Sequence, residues 1–404
     1  MRRAETNYVG GTASGCTGGA WNSFQRVLLC ALATLTVVGT EASAASIKPK
    51  APPQICLEVD GASVCKNAPN TPAPTGAIKW HPGHYMLGEQ IGHIPDSVYD
   101  QLRAEPLVLG IRQRYWWAQL EPERGKYDFS IIEADIRKLK AINKRLVLTV
   151  ADRSWSGTSA KDKLPDYLLS LSDGGGGYYA KPDAQGVIAK LWEPSVMDRM
   201  LALYEELGKR FDSDPNVEGV VLGESSPGFN AKMEGYTKAI WAQALNRQIK
   251  DVRASWPTTN VFMYTNSLVG FLQDMMETCY ENKVGVGGPD VLPPPHPGIL
   301  GDRILMGLEP GSKRDYRGKT PVGYDVQSPE LCGKEGCHSP EKLLDYSVDT
   351  LKATHVFWVR FGTAKDTSTE KYSWQYGILP AIRANKGRIN TACPANFDGA
   401  CSTN

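Results

Sequence analysis

Between Ala77 and Gly387, short apolar and often β-branched runs alternate with amphipathic segments. That alternation narrows the fold more than any other feature. A parallel strand pair needs a crossover long enough to hold a helix, so repeated strand–helix patterns read as βα units. Strands are predicted at Ile78–Tyr85, Leu107–Arg114, Arg145–Val150, Val217–Leu222, Asn260–Tyr264, Lys283–Val286, Pro321–Val326 and Thr354–Phe361. Helices are predicted at Ile131–Ile142, Val196–Phe211, Tyr236–Ser255 and Leu343–Leu351, where apolar residues recur at helical spacing. Eight such units predict an α/β fold, a (β/α)8 TIM barrel over 77–388. The Pro- and Gly-rich stretch Val291–Thr320 shows no clear helix and is the weakest part of the count.

The N-terminal residues read differently. Arg26 precedes the apolar run Val27–Val38, and Ala42-Ser43-Ala44 fits a small-residue cleavage pattern, so 1–44 is expected to be a secretory presequence. The run is too short for a comfortable membrane span, and the mature chain is expected to be secreted or periplasmic. Residues 45–76 read as a Pro-rich linker carrying a small hairpin. Counting outward from Asp60-Gly61 sets Cys56 opposite Cys65, a register close enough to bridge. Export also favours bridges between Cys332 and Cys337, and between Cys393 and Cys401 in the tail 389–404. A zinc site at Cys332, Cys337 and His338 is the competing reading. Cys279 is left over as a buried thiol.

The formal net charge is +1, so composition gives no reason to expect nucleic acid as a partner. There is no Gly-rich phosphate loop and no Gly-x-Ser-x-Gly elbow. His81 and His84 have no carboxylate or further His at ligand spacing, so no metal and no cofactor are expected. The most informative single stretch is Asn216–Ser226. It is an apolar strand that ends in Gly223-Glu224-Ser225-Ser226, and parallel barrels carry their chemistry at the C-terminal ends of strands.

The segment Trp117-Ala-Gln-Leu-Glu121-Pro122-Glu-Arg-Gly125-Lys-Tyr127-Asp128-Phe129 resembles the run that follows strand two in clan A glycoside hydrolases, the retaining β-galactosidase-like and cellulase-like barrels. Trp192-Glu-Pro and the Glu224 strand extend the similarity. The resemblance implies two catalytic carboxylates, an acid/base at the end of strand four and a nucleophile at the end of strand seven. Glu224 matches the first position and Asp325 is nearest to the second. The clan carries Asn before its acid/base and Glu as its nucleophile, where this chain has Gly223 and Asp325. Glu330, Glu309 and Asp290 are therefore substitutes for the nucleophile. The resemblance also implies an Arg at the nucleophile, a role open to Arg112 or Arg114, which share one strand face.

Asn266 and Asp290 end strands five and six and are candidates for sugar hydroxyls. Trp117 and Trp358, with Trp155 and Trp374 behind them, are candidates to stack on sugar C–H faces. Tyr178 and Tyr179, beside four glycines, read as a lid or cleft wall. These readings make the chain an exported hydrolase of a neutral or weakly charged oligo- or polysaccharide. The alternatives are a glycan-binding barrel without catalysis and an envelope assembly protein.

Overall fold

The computed structural model describes residues 76–157, 159–170, 176–180, 186–227, 233–294, 300–332, 336–360 and 370–403, together with the backbone of 54–59 and 62–67. The presequence and most of the linker lie outside the described residues. Two compact units divide at Ala68 and Pro69. In the first, Gln54–Val59 pairs antiparallel with Ala62–Asn67 and Cys56 stands opposite Cys65. The turn at Asp60-Gly61 and the cysteine side chains lie outside the described residues.

The second unit is a closed barrel of eight parallel strands. They are β1 (Gly83–Leu87), β2 (Val108–Trp116), β3 (Arg145–Ala151), β4 (Val217–Glu224), β5 (Asn260–Tyr264), β6 (Gly285–Gly288), β7 (Val322–Val326) and β8 (His355–Val359). Each pairs with its neighbours in sequence, and β8 closes on β1. The fold is therefore a (β/α)8 barrel. Tyr85, Leu87, Val147, Val221, Phe262, Tyr264 and Phe357 fill its interior as one buried cluster. A larger cluster lies between the strands and the surrounding helices.

Local chemistry explains most of the crossovers. Helix Pro194–Phe211 has Pro at its first turn and buries Val196, Met200, Leu203, Leu207 and Phe211 at helical spacing. Helix Lys238–Ser255 starts where the Thr237 hydroxyl accepts the Ile240 N–H at 3.1 Å. The stretch without a clear helical pattern does contain a short helix, Leu300–Leu305. The first predicted strand splits in two. Ile78–Lys79 pairs with Cys401–Ser402 outside the barrel, and β1 begins only after Pro82, which cannot donate to a ladder.

Below the barrel, the chain's last residues form a plug. Trp80 donates to the Thr391 carbonyl at 2.8 Å, and Ile78, Trp80 and Phe397 cluster beside the bridged Cys393–Cys401 pair. Cys332 and Cys337 are also bridged, and Cys279 is a buried thiol. Among the described residues no helix is long and apolar enough to cross a membrane.

Glu218, fully buried at the start of β4, ties this lower pole together. It accepts from the His81 N–H at 2.9 Å and from Asn260 Nδ2 at 2.8 Å, and it bonds His81 Nδ1 at 2.6 Å and His355 Nε2 at 3.2 Å. Burial would raise its carboxyl, but the His355 and His81 bonds outweigh that and hold it at about 2, below the ordinary 4.5. A depressed carboxyl stabilises the fold above the unfolded value, and that stability is lost as pH falls through the folded one. Acid titration should thus remove roughly 3 kcal/mol as pH falls from 4.5 to about 2. Glu218→Gln should flatten that part of the stability–pH curve, measured by denaturant unfolding.

Candidate active site

At the upper pole β4 does something that plain alternation would not. Its register against β5 runs Val221 to Phe262 and then Glu224 to Tyr264, three residues against two. This is a β-bulge, and a bulge re-aims the side chains beyond it. Val221 belongs to the interior cluster, so strict alternation would turn Gly223 inward and Glu224 outward. The bulge brings Glu224 to the inner side at the mouth.

Glu224 is mostly buried there. Asn266, just past β5, donates to its Oε2 at 3.0 Å, while the Asn266 Oδ1 accepts from the Ser225 hydroxyl at 3.1 Å and the Ser226 N–H at 3.2 Å. Burial pushes the Glu224 carboxyl up. Arg153 and the Asn266 bond pull it down, and the Asp290 and Asp325 charges push it up again, leaving it above the ordinary value. Gly223 also finds its reason here. A Cβ at Gly223 would lie 3.0 Å from Arg153 Nη2. Arg153 is clamped by two 2.9 Å bonds to Asp152 and one of 2.7 Å to the Ser226 carbonyl. A side chain before Glu224 would crowd Arg153, and Asn266 supplies an amide to the carboxylate from just past the neighbouring strand.

Asp325, in β7, is only 4% exposed. Arg112 Nη1 donates to its Oδ2 at 2.5 Å and the Tyr264 hydroxyl to its Oδ1 at 2.5 Å. Burial raises this carboxyl, whereas Arg112, the Tyr264 bond and Arg114 lower it, and it ends above the ordinary value. Tyr264 lies beside Glu224 in the strand register, and its hydroxyl reaches Asp325. Arg114 follows Arg112 on the same strand face. Its charge acts on Asp325, Tyr264 and Glu224, yet it forms no ion pair among the described residues.

Asp290, following β6, is half-buried and its charge raises both Glu224 and Asp325. It shares a hydrogen bond with Glu330, which is 2% exposed in the short helix Ser328–Cys332. Burial and the Asp290 carboxylate push the Glu330 carboxyl well above its ordinary value. Glu309 pairs with Arg303 at 2.5 Å and lies after helix Leu300–Leu305, on the return to β7. It is not at the mouth.

The structure thus brings together Glu224, Asp325, Arg112, Arg114, Asn266 and Asp290. It does not bring Trp117 or Trp358 there. Trp117 is fully buried, opens the turn of helix after β2, and donates to Glu121 at 3.0 Å. Trp358 is fully buried in the helix-side core and donates to His84 at 3.0 Å, because its neighbour Phe357 takes the interior position. Trp374 is buried as well, whereas Trp155, past β3, is 50% exposed. The Leu-Glu-Pro motif is structural. Glu121 accepts from Trp117, the Gly125 N–H, Tyr167 and Arg199, fixing the loop after β2 to helix Pro194–Phe211. Tyr178 and Tyr179 lie in a two-stranded antiparallel sheet with Val187–Ala189, and Ile188 bridges to Arg153 just past β3.

Arg153, Tyr264 and Trp116 are parts of the mouth that sequence reasoning did not single out. An Asp-Arg pair directly after an apolar strand was the available signal for Arg153. For Trp116, it was the alternation already running through Arg112 and Arg114. Among the described residues no three His, Cys, Asp or Glu side chains converge as a metal site.

No protein-family model matches the chain, and no curated protein matches it. Among solved structures it is similar to the catalytic domain of a β-amylase from Paenibacillus polymyxa, with 10% identity, a TM-score of 0.50, and coverage of 77% of this chain and 100% of that one. An endogalactoceramidase matches at 14% identity and a TM-score of 0.47, over 76% of this chain and 74% of that one. Endo-glycoceramidase II from Rhodococcus sp. matches at 11% and 0.45, over 71% and 75%. At these identities the likeness concerns the barrel fold.

Proposed function

We propose that the chain is a glycoside hydrolase in which Glu224 is the general acid/base and Asp325 the nucleophile. The observation that carries this is Glu224 itself, a largely buried carboxyl at the C-terminal end of β4. Burial and two nearby acids raise it, and Asn266 orients it. A proton donor for a departing glycosidic oxygen has those properties. Asp325 would attack the anomeric carbon while Arg112 and Tyr264 hold it. Both side chains donate to the ground-state carboxylate, and Arg112 at contact distance favours its ionised form. Glu224 would then take the proton from the incoming water, giving net retention. The substrate is an oligo- or polysaccharide and the reaction needs no cofactor. Export remains part of the proposal, supported by the presequence pattern and the two bridges.

Proton NMR of the first product on a glycan panel tests this. Retained configuration supports a nucleophile at Asp325. A second reading rests on the near-complete burial of Asp325, both of whose oxygens already accept bonds. In it Asp290, oriented by its hydrogen bond with Glu330, activates a water and the product is inverted. The pH profile adds a further check. The acid must be protonated, so the rate falls as pH rises through its raised pKa. Asp290→Asn removes one of the charges that raise Glu224 and should move that alkaline limb down by about one pH unit or less.

A further inference from the structure

The cations near the mouth differ in one respect. Arg112 is paired with Asp325, Arg153 with Asp152, and Arg360 at the rim with Glu89 at 3.0 Å. Arg114 has no carboxylate within ion-pair distance among the described residues. Its Nε is buried and accepted by no group, and its charge acts on Arg112, Asp325, Tyr264 and Glu224, the groups around which substrate would sit. Partly burying a guanidinium without a counter-ion is unfavourable, and the like charge of Arg112 adds to that. Such a group gains when an anion arrives from outside the chain. A guanidinium offers parallel N–H donors in a plane, a geometry that matches a carboxylate.

The strand supplies a second component. Ile111 and Tyr115 face the helix-side core, so alternation along β2 sets Arg112, Arg114 and Trp116 on the inner side. Trp116 is partly exposed and stands outside both large apolar clusters. It follows Arg114 on the same strand face, at the end of the strand where the mouth lies. A flat apolar ring next to an unpaired cation suits a sugar that has a C–H face and an acidic substituent.

We propose that Arg114 and Trp116 form a subsite for a hexuronic acid unit, with the sugar carboxylate paired to Arg114 and its ring stacked on Trp116. This rests on the glycosidase reading and replaces the expectation of a neutral or weakly charged glycan with an anionic one. Arg114 acts here as a specificity residue. The bond-breaking groups remain Glu224 and Asp325.

The test pairs oligogalacturonate and oligoglucuronate with their carboxyl-reduced neutral counterparts, and includes a sulfated oligosaccharide. Binding is read by calorimetric titration of the Glu224→Gln protein and cleavage by kcat/KM of the wild type. The acidic form should exceed the neutral one by about tenfold or more, and added salt should erode that ratio. Arg114→Gln should bring the ratio close to one, Arg114→Lys should retain part of it, and Trp116→Ala should weaken both forms together. Equal binding of acidic and neutral forms would overturn the subsite, as would a ratio unchanged in Arg114→Gln. A sulfated ligand that outbinds the uronates would overturn the carboxylate assignment. Uronate binding that depends on Arg114, with no cleavage of any glycan, would uphold the subsite and refute the hydrolase reading.

Discussion

Glu224→Gln should lower kcat on unactivated glycans by about a thousandfold, with a much smaller change in KM. The amide keeps the shape and can still accept from Asn266, but it has no proton to give. The loss should shrink on aryl glycosides whose leaving groups depart without protonation. Thermal stability should barely change, because a carboxyl already raised toward its neutral form by burial contributes little as an ion. A variant that loses activity equally on activated and unactivated substrates would mean that Glu224 is not the acid. Unchanged activity on both would remove it from the chemistry altogether.

Asp325→Asn should have two effects of similar importance. It should lower turnover by about a thousandfold or more, since among the described residues no other carboxylate is held by both Arg112 and Tyr264. It should also destabilise the barrel by about 3 kcal/mol, because Arg112 is left buried with its charge uncompensated. Denaturant unfolding measures the second effect separately from the first. The double variant Arg112→Met with Asp325→Asn should recover much of the stability and none of the activity. If Asp325→Asn kept activity while losing stability, the Arg112–Asp325 pair would be structural and Asp290 would become the carboxylate that works with Glu224.

The barrel was legible because its signal is repeated. Each apolar run and each amphipathic run supports the same parallel architecture, so the short helix Leu300–Leu305 could go unseen without changing the fold. Glu224 was a candidate because it ends an apolar strand, whereas Asp325 came only from the resemblance to clan A. Side-chain partners were not legible in the same way. Tyr264 on Asp325 and Asn266 on Glu224 are contacts between residues far apart in sequence, set by barrel closure and by the bulge in β4.

The tryptophans show how a small shift in an element boundary changes an assignment. β2 runs to Trp116 rather than stopping at Arg114, and a helical turn begins at Trp117. That difference sends Trp117 into the core and leaves Trp116 on the mouth-facing side. In β8 the alternation itself was legible but its phase was not, and Phe357 rather than Trp358 took the interior. The run that resembles clan A supplies the Glu121 hub that fixes the loop after β2, rather than a catalytic group.

The most direct measurement of the central claim is covalent trapping. The Glu224→Gln protein, incubated with an activated fluorosugar glycoside and read by intact-protein and peptide mass spectrometry, should gain one sugar, located on the peptide that contains Asp325. A sugar on any other residue would contradict the account, and so would an unlabelled protein whose product carries inverted configuration.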